Sequence, residues 1–409
     1  MKFLITSGWI PTLSRCELGN DDNKGITVEG RKLNMKKLKV MTIVGTRPEI
    51  IRLARVIVRL DEVMDHVLVH TGQNYDYELN EIFFNELDIP KPDHFLNAAA
   101  ETAAGTIGNT IIKVDEVLAE VEPDAVLVLG DTNSCLSVIP AKRRKIPVFH
   151  MEAGNRCFDF RVPEEINRRI VDHTSDVNMC YSEHARRYLI AEGLPPDRVL
   201  KTGSPMMEVL EHYLAQINAS NIHEKMGLEP GKYFTLSIHR EENVDDEEHL
   251  TSLVASINAL AARYQYPLVL STHPRTKKRL EAGEYELHSL VSALPPLGFF
   301  DYNCLQKQAF CTISDSGTIA EESSILGFPA ITVREAHERP EGMDEGAVIM
   351  AGLTPDRIMQ AVELTRAQFD DVGPCRRPYD YDMPMVSWKV AKIILGYTDY
   401  VNRKVWCKY

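Results

Sequence analysis

The feature that most constrains this chain is a regular alternation between short apolar runs and stretches of helical period. Consecutive parallel strands need a crossover, which is usually a helix, so the alternation predicts an α/β fold with doubly wound parallel sheets. A first series of predicted strands comprises Val40–Val44, His66–His70, Ala125–Leu129, Pro147–His150, Val177–Tyr181 and Val199–Thr202. A second series comprises Tyr233–Ile238, Pro267–Ser271, Cys311–Ser314, Ala330–Val333 and Val348–Met350. Two such series predict two Rossmann-like domains that face a central cleft.

At 409 residues the chain is long enough for two domains with separate cores. Within residues 1–34, the stretch Asn20–Gly25 is polar and turn-forming and no hydrophobic period persists, so we expect a loosely ordered N-terminal extension. The first domain is expected at residues 35–204 and the second at residues 205–380. Residues 381–409 are rich in aromatic residues and helical in pattern, which predicts a C-terminal helical segment. Other helices are predicted at Ile50–Leu60, Thr106–Leu118, Met206–Ile217, Glu247–Tyr264 and Thr318–Leu326.

The composition argues against several classes of function. A net charge of −13 disfavours a general nucleic-acid binder, although local arginines can still hold an anionic small ligand. No apolar run reaches the length of a membrane span. The eight cysteines form no CxxC pair, so neither a zinc site nor a disulfide framework is indicated. We therefore expect a cytoplasmic protein with reduced thiols and with neither nucleic acid nor membrane as a partner.

Acids and arginines are concentrated after the predicted strand Pro147–His150. Glu152 follows this strand closely, and Glu164 opens a predicted helix after a loop that carries Arg156 and Arg161. A buried parallel strand first meets a ligand at its carboxyl end, so the two carboxylates suit proton transfer on an anionic substrate. A solvated loop held by ion pairs is the alternative interpretation.

Two other strand ends of the first series add candidates. Pro48 fits the first turn of a helix, and the amino end of that helix, beside Arg47 and Arg52, is either an anion site or a plain helix start. Asp131 follows the strand Ala125–Leu129 and is either a helix cap or a third acid of the cleft.

In the second series, His239 and Arg240 follow the strand Tyr233–Ile238 and either bind phosphate or make structural hydrogen bonds. The local sequence HREEN is not HExxH, so no metal site is predicted. The strongest pattern is Ser314-Asp315-Ser316-Gly317-Thr318-Ile319-Ala320-Glu321-Glu322, in which a strand gives way to a helix. Its amides and hydroxyls can bind a diphosphate, and Glu322 can accept hydrogen bonds from ribose hydroxyls. The alternative is a plain capped helix without a ligand. The sequence has no GxGxxG pattern, which argues against hydride transfer at the usual site.

Taken together, these residues resemble the non-hydrolysing UDP-N-acetylglucosamine 2-epimerases. The resemblance extends from Met35 to about Gly352 and rests on GTRPE, TGQ, GDT, HMEAGNR, PEE-x-NR, HREE, SDSG-x-x-x-EE and ERPE, in the family's order. It implies the fold of B-type glycosyltransferases (GT-B), with the C-terminal helix returning to the first domain. It also implies a homodimer, no cofactor, and a UDP-2-acetamido sugar and UDP as ligands.

Within the family, HMEAGNRCFDFRVPEEINRR and the tail Tyr397-Thr398-Asp399-Tyr400 resemble one particular branch. That branch makes UDP-N-acetyl-L-fucosamine from UDP-2-acetamido-2,6-dideoxy-β-L-talose for bacterial capsule and O-antigen synthesis. The loop between Glu152 and Glu164 is shorter than in the UDP-N-acetylglucosamine enzymes, so we expect Asn155–Val162 to select the sugar. A UDP-N-acetylglucosamine 2-epimerase that gives UDP-N-acetylmannosamine is the alternative.

The resemblance implies inversion at C-2 by elimination and re-addition of UDP. A base removes the C-2 proton as UDP leaves C-1, and a 2-acetamidoglycal is then reprotonated on its opposite face, which needs acids on two sides of the ring and cations around UDP. The catalytic candidates carried over by motif are Asp131, Glu152, Glu164 and His239. The candidates for binding UDP and the sugar are Arg47, Arg52, Arg168, Tyr302, Ser316, Gly317, Thr318, Glu322 and Arg339.

Two of these positions depart from the family's pattern. Arg52 replaces a lysine, which keeps the charge but alters its reach, and Thr318 replaces the second glycine of an SGG turn. A similar cleft would also serve a B-type glycosyltransferase or a UDP-sugar-binding regulator without turnover. Three convergent acids favour the epimerase over both.

Overall fold

The computed structural model describes residues 27–28, 31–32, 36–73, 77–272, 274–283, 285–336 and 338–408. Most of the expected extension at residues 1–34 therefore lies outside the described residues. The part of it that is described pairs β1 (Thr27–Val28) with β2 (Arg31–Lys32) in antiparallel orientation. Residues Leu38–Tyr409 form one compact unit.

The first sheet of this unit is parallel and, within the described residues, seven-stranded. Its strands are β3 (Lys39–Val44), β4 (Asp65–His70), β5 (His94–Phe95), β6 (Ala125–Leu129), β7 (Val148–Met151), β8 (Val177–Cys180) and β9 (Val199–Lys201). They lie in the order β5-β4-β3-β6-β7-β8-β9, and all neighbours are parallel. Because the order reverses between β3 and β6, a crevice opens at the carboxyl ends of these two strands.

The second sheet repeats this arrangement with six parallel strands in the described part of the chain. Its strands are β10 (Phe234–Ile238), β11 (Leu268–Thr272), β12 (Val291–Leu294), β13 (Cys311–Ser314), β14 (Ala330–Thr332) and β15 (Ile349–Met350). Their order is β12-β11-β10-β13-β14-β15, which reverses between β10 and β13. The predicted fold class, two doubly wound Rossmann-like sheets of the GT-B type, is confirmed.

Helices supply the crossovers of both sheets. Those up to β9 are α1 (Arg47–Val63), α2 (Tyr77–Glu86), α3 (Ala103–Val121), α4 (Val138–Arg143), α5 (Pro163–Thr174) and α6 (Glu183–Ala191), with 3-10 turns at Asn133–Ser137 and Pro196–Arg198. Between the sheets lie α7 (Met206–His212), α8 (Leu214–Asn218) and α9 (Ile222–Met226). The remainder are α10 (Glu241–Val244), α11 (Glu247–Tyr264), α12 (Pro274–Ala282), α13 (Phe299–Gln308), α14 (Ile319–Leu326), α15 (Pro340–Asp344), α16 (Pro355–Val372) and α17 (Val386–Lys404).

The start of α1 shows how the sequence fixes the first crevice. Pro48 lies in the first turn, where its missing N–H is not needed, and buried Ile50, Leu53 and Ile57 anchor the helix on the sheet. Before the helix, Gly45 passes so close to the 3-10 turn after β6 that an added Cβ would lie 2.8 Å from Cβ of Ser134. The turn therefore needs glycine because there is no space for a side chain.

The last helix, α17, packs on α1 of the first sheet, where the guanidinium of Arg59 lies 4.1 Å from the ring centroid of Trp388. The expected domain boundary at residues 204 and 205 falls in the connection between β9 and α7, and it stays a prediction. None of the described helices is both long enough and apolar enough to span a membrane.

Candidate active site

Polar residues follow the strands that border the two crevices. In the first sheet, Arg47, Asp131 and Glu152 come just after β3, β6 and β7. In the second sheet, His239 and Ser316 come just after β10 and β13. All five line one or both of two adjoining cavities. The carboxyl ends of the two sheets therefore contribute to a common cleft.

The first cavity, which we call the aromatic cavity, contains about 810 Å³ of empty space. Its wall combines the rings of Phe83, Phe299 and Tyr302 with few charged groups, among them Arg47 and Glu322. A cavity of this apolar character suits a small organic ligand that is oriented by a few polar groups.

The second cavity, which we call the charged cavity, contains about 1280 Å³ of empty space. Carboxylates and guanidinium groups line it, including Asp131, Glu152 and Glu164. The two cavities share Pro48, Arg52, His239, Ser316 and Thr318. Every site residue predicted from the sequence lines at least one of them. Within the described residues, no group of three or more His, Cys, Asp or Glu side chains is placed to hold a metal ion.

Glu152 lies at the centre of an ion-pair network. Its backbone has a φ of +63°, in the left-handed region that non-glycine residues seldom adopt, so its side chain is aimed by a strained turn after β7. One carboxylate oxygen accepts from Nη2 of Arg339 at 2.6 Å and from Nδ2 of Asn155 at 3.2 Å, and the other accepts from Nη1 of Arg52. Burial alone raises the pKa of Glu152, but the two guanidinium groups outweigh it and hold the pKa below its usual value.

Asp131 has the opposite protonation tendency. Its Oδ2 accepts from Nε and Nη2 of Arg168 at 3.0 and 2.6 Å. Burial nevertheless raises the pKa of Asp131 to about 6, and the negative charges of Glu152 and Glu338 act in the same direction against Arg168. At neutral pH the cleft therefore holds an ionised glutamate beside an aspartate that exchanges its proton readily, a pairing typical of acid–base sites.

Glu164 lies in the first turn of α5, where a negative charge is favourable beside the free amides of the helix. Pro163 favours the start of the helix at this residue, which places Glu164 in the first turn, at the wall of the charged cavity. The half-buried carboxylate of Glu164 accepts no hydrogen bond from any described residue, and the charges of Asp131 and Arg240 act on it. Both of its oxygens are available to a ligand in the charged cavity.

His239 is oriented by the buried carboxylate of Asp315. Its Nδ1 lies 3.0 Å from Oδ1 of Asp315, whose Oδ2 accepts the backbone N–H groups of His239 and Arg240 at 2.9 Å. Burial alone raises the pKa of Asp315, but His239 and these amides outweigh burial and lower the pKa to about 2. Because Asp315 is ionised, Nδ1 of the ring carries a hydrogen and donates it, and Nε2 is left for the cavities.

The turn between β13 and α14 accommodates Thr318 through its hydroxyl group. Oγ of Ser316 lies 2.9 Å from Oγ1 of Thr318 and also accepts from the Thr318 backbone N–H at 3.3 Å. At Gly317 an added Cβ would lie 3.3 Å from Oε2 of Glu338 and 3.5 Å from Nη2 of Arg240. The turn thus presents the hydroxyls of Ser316 and Thr318 to both cavities, and the backbone of Gly317 to the charged cavity.

Three further predicted residues form a wall of the aromatic cavity. The guanidinium of Arg47 lies 5.4 Å from the ring centroid of Phe83. Oε2 of Glu322 accepts from Nε2 of Gln306 at 2.9 Å, and burial raises the pKa of Glu322. Burial and the nearby charge of Glu322 likewise raise the pKa of Tyr302. This wall offers a ring, a carboxylate and a cation to one ligand.

Sequence reasoning missed Glu338, which joins the two sheets. Its carboxylate lies 3.5 Å from Arg168, 3.5 Å from Arg240 and 3.2 Å from Arg334. Burial raises its pKa, but these arginines hold the pKa well below its usual value. Glu338 directly precedes Arg339 in the ERPE block, and this adjacency is the sequence feature from which it could have been predicted as a site residue.

The segment Asn155–Val162 does not reach the cavities directly. None of its residues, all of which the structure describes, lines either cavity. It connects to the site at both ends, because Asn155 donates to Glu152 and the backbone N–H of Cys157 donates to Oε2 of Glu165 in α5 at 3.1 Å. Any influence of this segment on a ligand passes through Glu152 and the first turn of α5.

Known protein families and relatives match this chain over most of its length. A family model described as UDP-N-acetylglucosamine 2-epimerase matches residues 58–395. A UDP-N-acetylglucosamine 2-epimerase of Methanocaldococcus jannaschii is 36% identical over 338 residues, which cover 80% of this chain and 92% of the relative. A UDP-2,3-diacetamido-2,3-dideoxy-D-glucuronate 2-epimerase of Pseudomonas aeruginosa is 33% identical, with 79% and 91% covered.

Solved structures show the same architecture. The structure of a UDP-N-acetylglucosamine 2-epimerase from Rickettsia bellii is 53% identical with a TM-score of 0.84, covering 91% of this chain and all of that one. The M. jannaschii UDP-GlcNAc 2-epimerase in complex with UDP-GlcNAc and UDP is 32% identical with a TM-score of 0.82, covering 88% of this chain and all of that one. The protein is therefore an isomerase of the UDP-N-acetylglucosamine 2-epimerase family.

Proposed function

We propose that this protein inverts C-2 of a UDP-2-acetamido sugar by elimination and re-addition of UDP, with UDP-2-acetamido-2,6-dideoxy-β-L-talose as substrate and UDP-N-acetyl-L-fucosamine as product. The observation that carries the reaction type is that Asp131, Glu152 and Glu164 line one cavity, which adjoins a second cavity suited to a nucleoside. A cytoplasmic homodimer that needs no cofactor and has no nucleic-acid partner is part of the proposal.

In this proposal the ligand extends across both cavities. The uracil lies in the aromatic cavity near Tyr302, and the ribose hydroxyls donate to Glu322. The diphosphate lies where the cavities meet, against the turn at Ser316–Thr318, with Arg47 and Nε2 of His239 beside it. The sugar ring then lies in the charged cavity among the three acids.

The two differently tuned acids divide the proton transfers between them. Glu152, ionised, accepts the C-2 proton; the electrons of that C–H bond form the double bond to C-1, and the C-1–oxygen pair leaves with UDP. Asp131 gives a proton to C-2 from the other face, and the UDP oxygen returns to C-1. Arg168 positions Asp131. Glu152 is positioned by Arg52 and Arg339. The remaining acid, Glu164, binds sugar hydroxyls, and Gly317 lets the diphosphate approach the backbone.

The choice of sugar rests on the short connection from Glu152 to Glu164. This connection is tied to Glu152 through Asn155 and to α5 through Cys157, so its length sets how the two acids face the ring. UDP-N-acetylglucosamine is the second candidate, favoured by the 53% identity to the R. bellii protein that carries this name. The P. aeruginosa relative is named for a third UDP-sugar, so membership of the family leaves the sugar open.

Deuterium incorporation distinguishes these substrates. We expect incubation with the L-talose-configured UDP-sugar in deuterated water to give inversion and deuterium at C-2, observed by NMR, and UDP-N-acetylglucosamine to react far more slowly. The reverse preference would support the second candidate. A chain that incorporates no deuterium into any UDP-2-acetamido sugar but transfers sugar to an acceptor would be a glycosyltransferase, and one that only binds would be a regulator.

The raised pKa of Asp131 predicts a pH dependence. If Asp131 must donate a proton, kcat/KM falls about tenfold for each unit of pH well above the pKa of about 6, because the protonated fraction of the free enzyme falls in that proportion. Asp131→Asn should have low kcat/KM without this decline, since its amide does not titrate. A decline near pH 6 that persists in Asp131→Asn would show that another group is responsible.

A further inference from the structure

Glu152 belongs to a group of four buried charges, which we call the buried quartet: Arg52, Glu152, Glu321 and Arg339. Arg52 lies in α1 and Glu152 directly follows β7, both beside the first sheet. Glu321 lies in α14 and Arg339 directly precedes α15, both beside the second sheet. Nη1 of Arg339 lies 3.1 Å and Nη2 of Arg52 lies 3.7 Å from Oε2 of Glu321. The same two arginines bind the carboxylate of Glu152. Each guanidinium therefore lies between two carboxylates.

Glu321 has no direct access to a ligand. It is completely buried in α14, and it lines neither of the two cavities, unlike its neighbour Glu322. No described residue gives either of its oxygens a well-aligned hydrogen bond. Its interactions are electrostatic: the two arginines attract it, and its charge also acts on Tyr181, Tyr381, Glu322 and Glu341. A carboxylate with full burial and so few hydrogen bonds is costly to the fold, which indicates that its charge has a role.

The charge balance of the buried quartet defines that role. With both glutamates ionised, two positive and two negative charges cancel. If Glu152 takes up a proton while Glu321 is neutral, neither arginine keeps an ion pair, and only more distant carboxylates act on them, Glu322 on Arg52 and both Glu338 and Glu341 on Arg339. The two like charges then repel strongly in a medium of low dielectric constant. Glu321 keeps one negative charge between the two arginines at that moment.

We propose that Glu321 is a positioning residue for Glu152, because its ion pairs hold Arg52 and Arg339 in place in both protonation states of Glu152. This inference rests on the proposed function, in which Glu152 accepts the C-2 proton. Without Glu321, both guanidinium groups act on Glu152 alone and favour its ionised form, so Glu152 becomes a weaker base. Removal of the C-2 proton should then be slower, while the cavities that bind the UDP-sugar are unchanged.

The test is Glu321→Gln, which removes the charge and keeps the shape. On the UDP-sugar that the wild type converts, we expect kcat to fall about tenfold or more, because the base is weakened by an unbalanced opposite charge. KM should change by less than about twofold, since no binding contact is lost. With substrate deuterated at C-2, the isotope effect on kcat should rise above that of the wild type, because proton removal limits turnover more strongly. Glu321→Asp, which keeps the charge but lengthens the ion pairs, should give smaller changes in the same directions.

Glu192→Gln is the matched control, because Glu192 also joins two arginines, Arg156 at 2.7 Å and Arg169 at 3.3 Å, but does not contact Glu152. Its isotope effect should equal that of the wild type. An unchanged isotope effect in Glu321→Gln would overturn the inference, even if thermal stability and kcat both fell, because that result describes a purely structural role. If Glu321→Gln does not fold, Glu321→Asp decides in the same way. Full turnover in Glu152→Gln would instead overturn the proposed function.

Discussion

Glu152→Gln should reduce turnover by a factor of about 10²–10⁴ while UDP binds as it does to the wild type. The amide has the size of the carboxylate but cannot accept the C-2 proton. UDP affinity should persist because Glu152 lines only the charged cavity, whereas the proposed nucleoside site is the aromatic cavity. NMR of the UDP-sugar measures turnover, and isothermal titration calorimetry with UDP measures binding.

Asp115→Asn is the control for this variant. Asp115 lies in α3, where it pairs with Arg144, and it lines neither cavity. We expect its turnover to match that of the wild type. Unchanged turnover in Glu152→Gln would show that another group removes the proton. Loss of UDP binding together with turnover would indicate that the substitution disturbs the cleft as a whole.

Most of the fold could be predicted because buried parallel strands form continuous apolar runs. Each predicted strand agrees with an observed one to within one residue at either end. The strands β5 and β12 were missed for identifiable reasons: β5 has two residues, and β12 lies at a sheet edge with exposed residues in its middle. The predicted helix Met206–Ile217 is divided between α7 and α8 at Tyr213, whose buried hydroxyl donates to the carbonyl oxygen of Leu87.

The residues predicted for the site all line the two cavities, but the ion pairs among them could not be predicted. Topology brings the carboxyl ends of strands together, so polar residues at those ends become candidates wherever they lie in the sequence. Which arginine meets which acid depends on how the two sheets face one another, and the partners Glu152 and Arg339 are separated by 187 positions. Glu321 stands next to Glu322, and only the direction in which α14 turns decides which of them lines a cavity.

Arg339→Met should lower the free energy of unfolding by about 3–5 kcal/mol, which is the range for breaking a buried ion pair on one side. Arg339 is almost completely buried and contacts both Glu152 and Glu321. Its loss leaves two buried carboxylates to share Arg52, so the pKa of Glu152, which Arg339 helps to lower, should rise. Denaturant unfolding followed by circular dichroism measures the change in stability.

Two further variants separate the effect of charge from the effect of packing in Arg339→Met. Arg161→Met removes an arginine that is 81% exposed and paired only within its own loop, so it should change stability by less than about 0.5 kcal/mol. The double variant Arg339→Met/Glu321→Gln should be more stable than Arg339→Met alone, because it removes one of the two buried carboxylates that would otherwise share Arg52. If the double variant were no more stable, the loss in Arg339→Met would come from packing rather than from charge. Because Glu152 follows a strand of the first sheet and Arg339 lies beside the second, the ion pair that aligns the base would then add no stability to the contact between the two halves of the cleft.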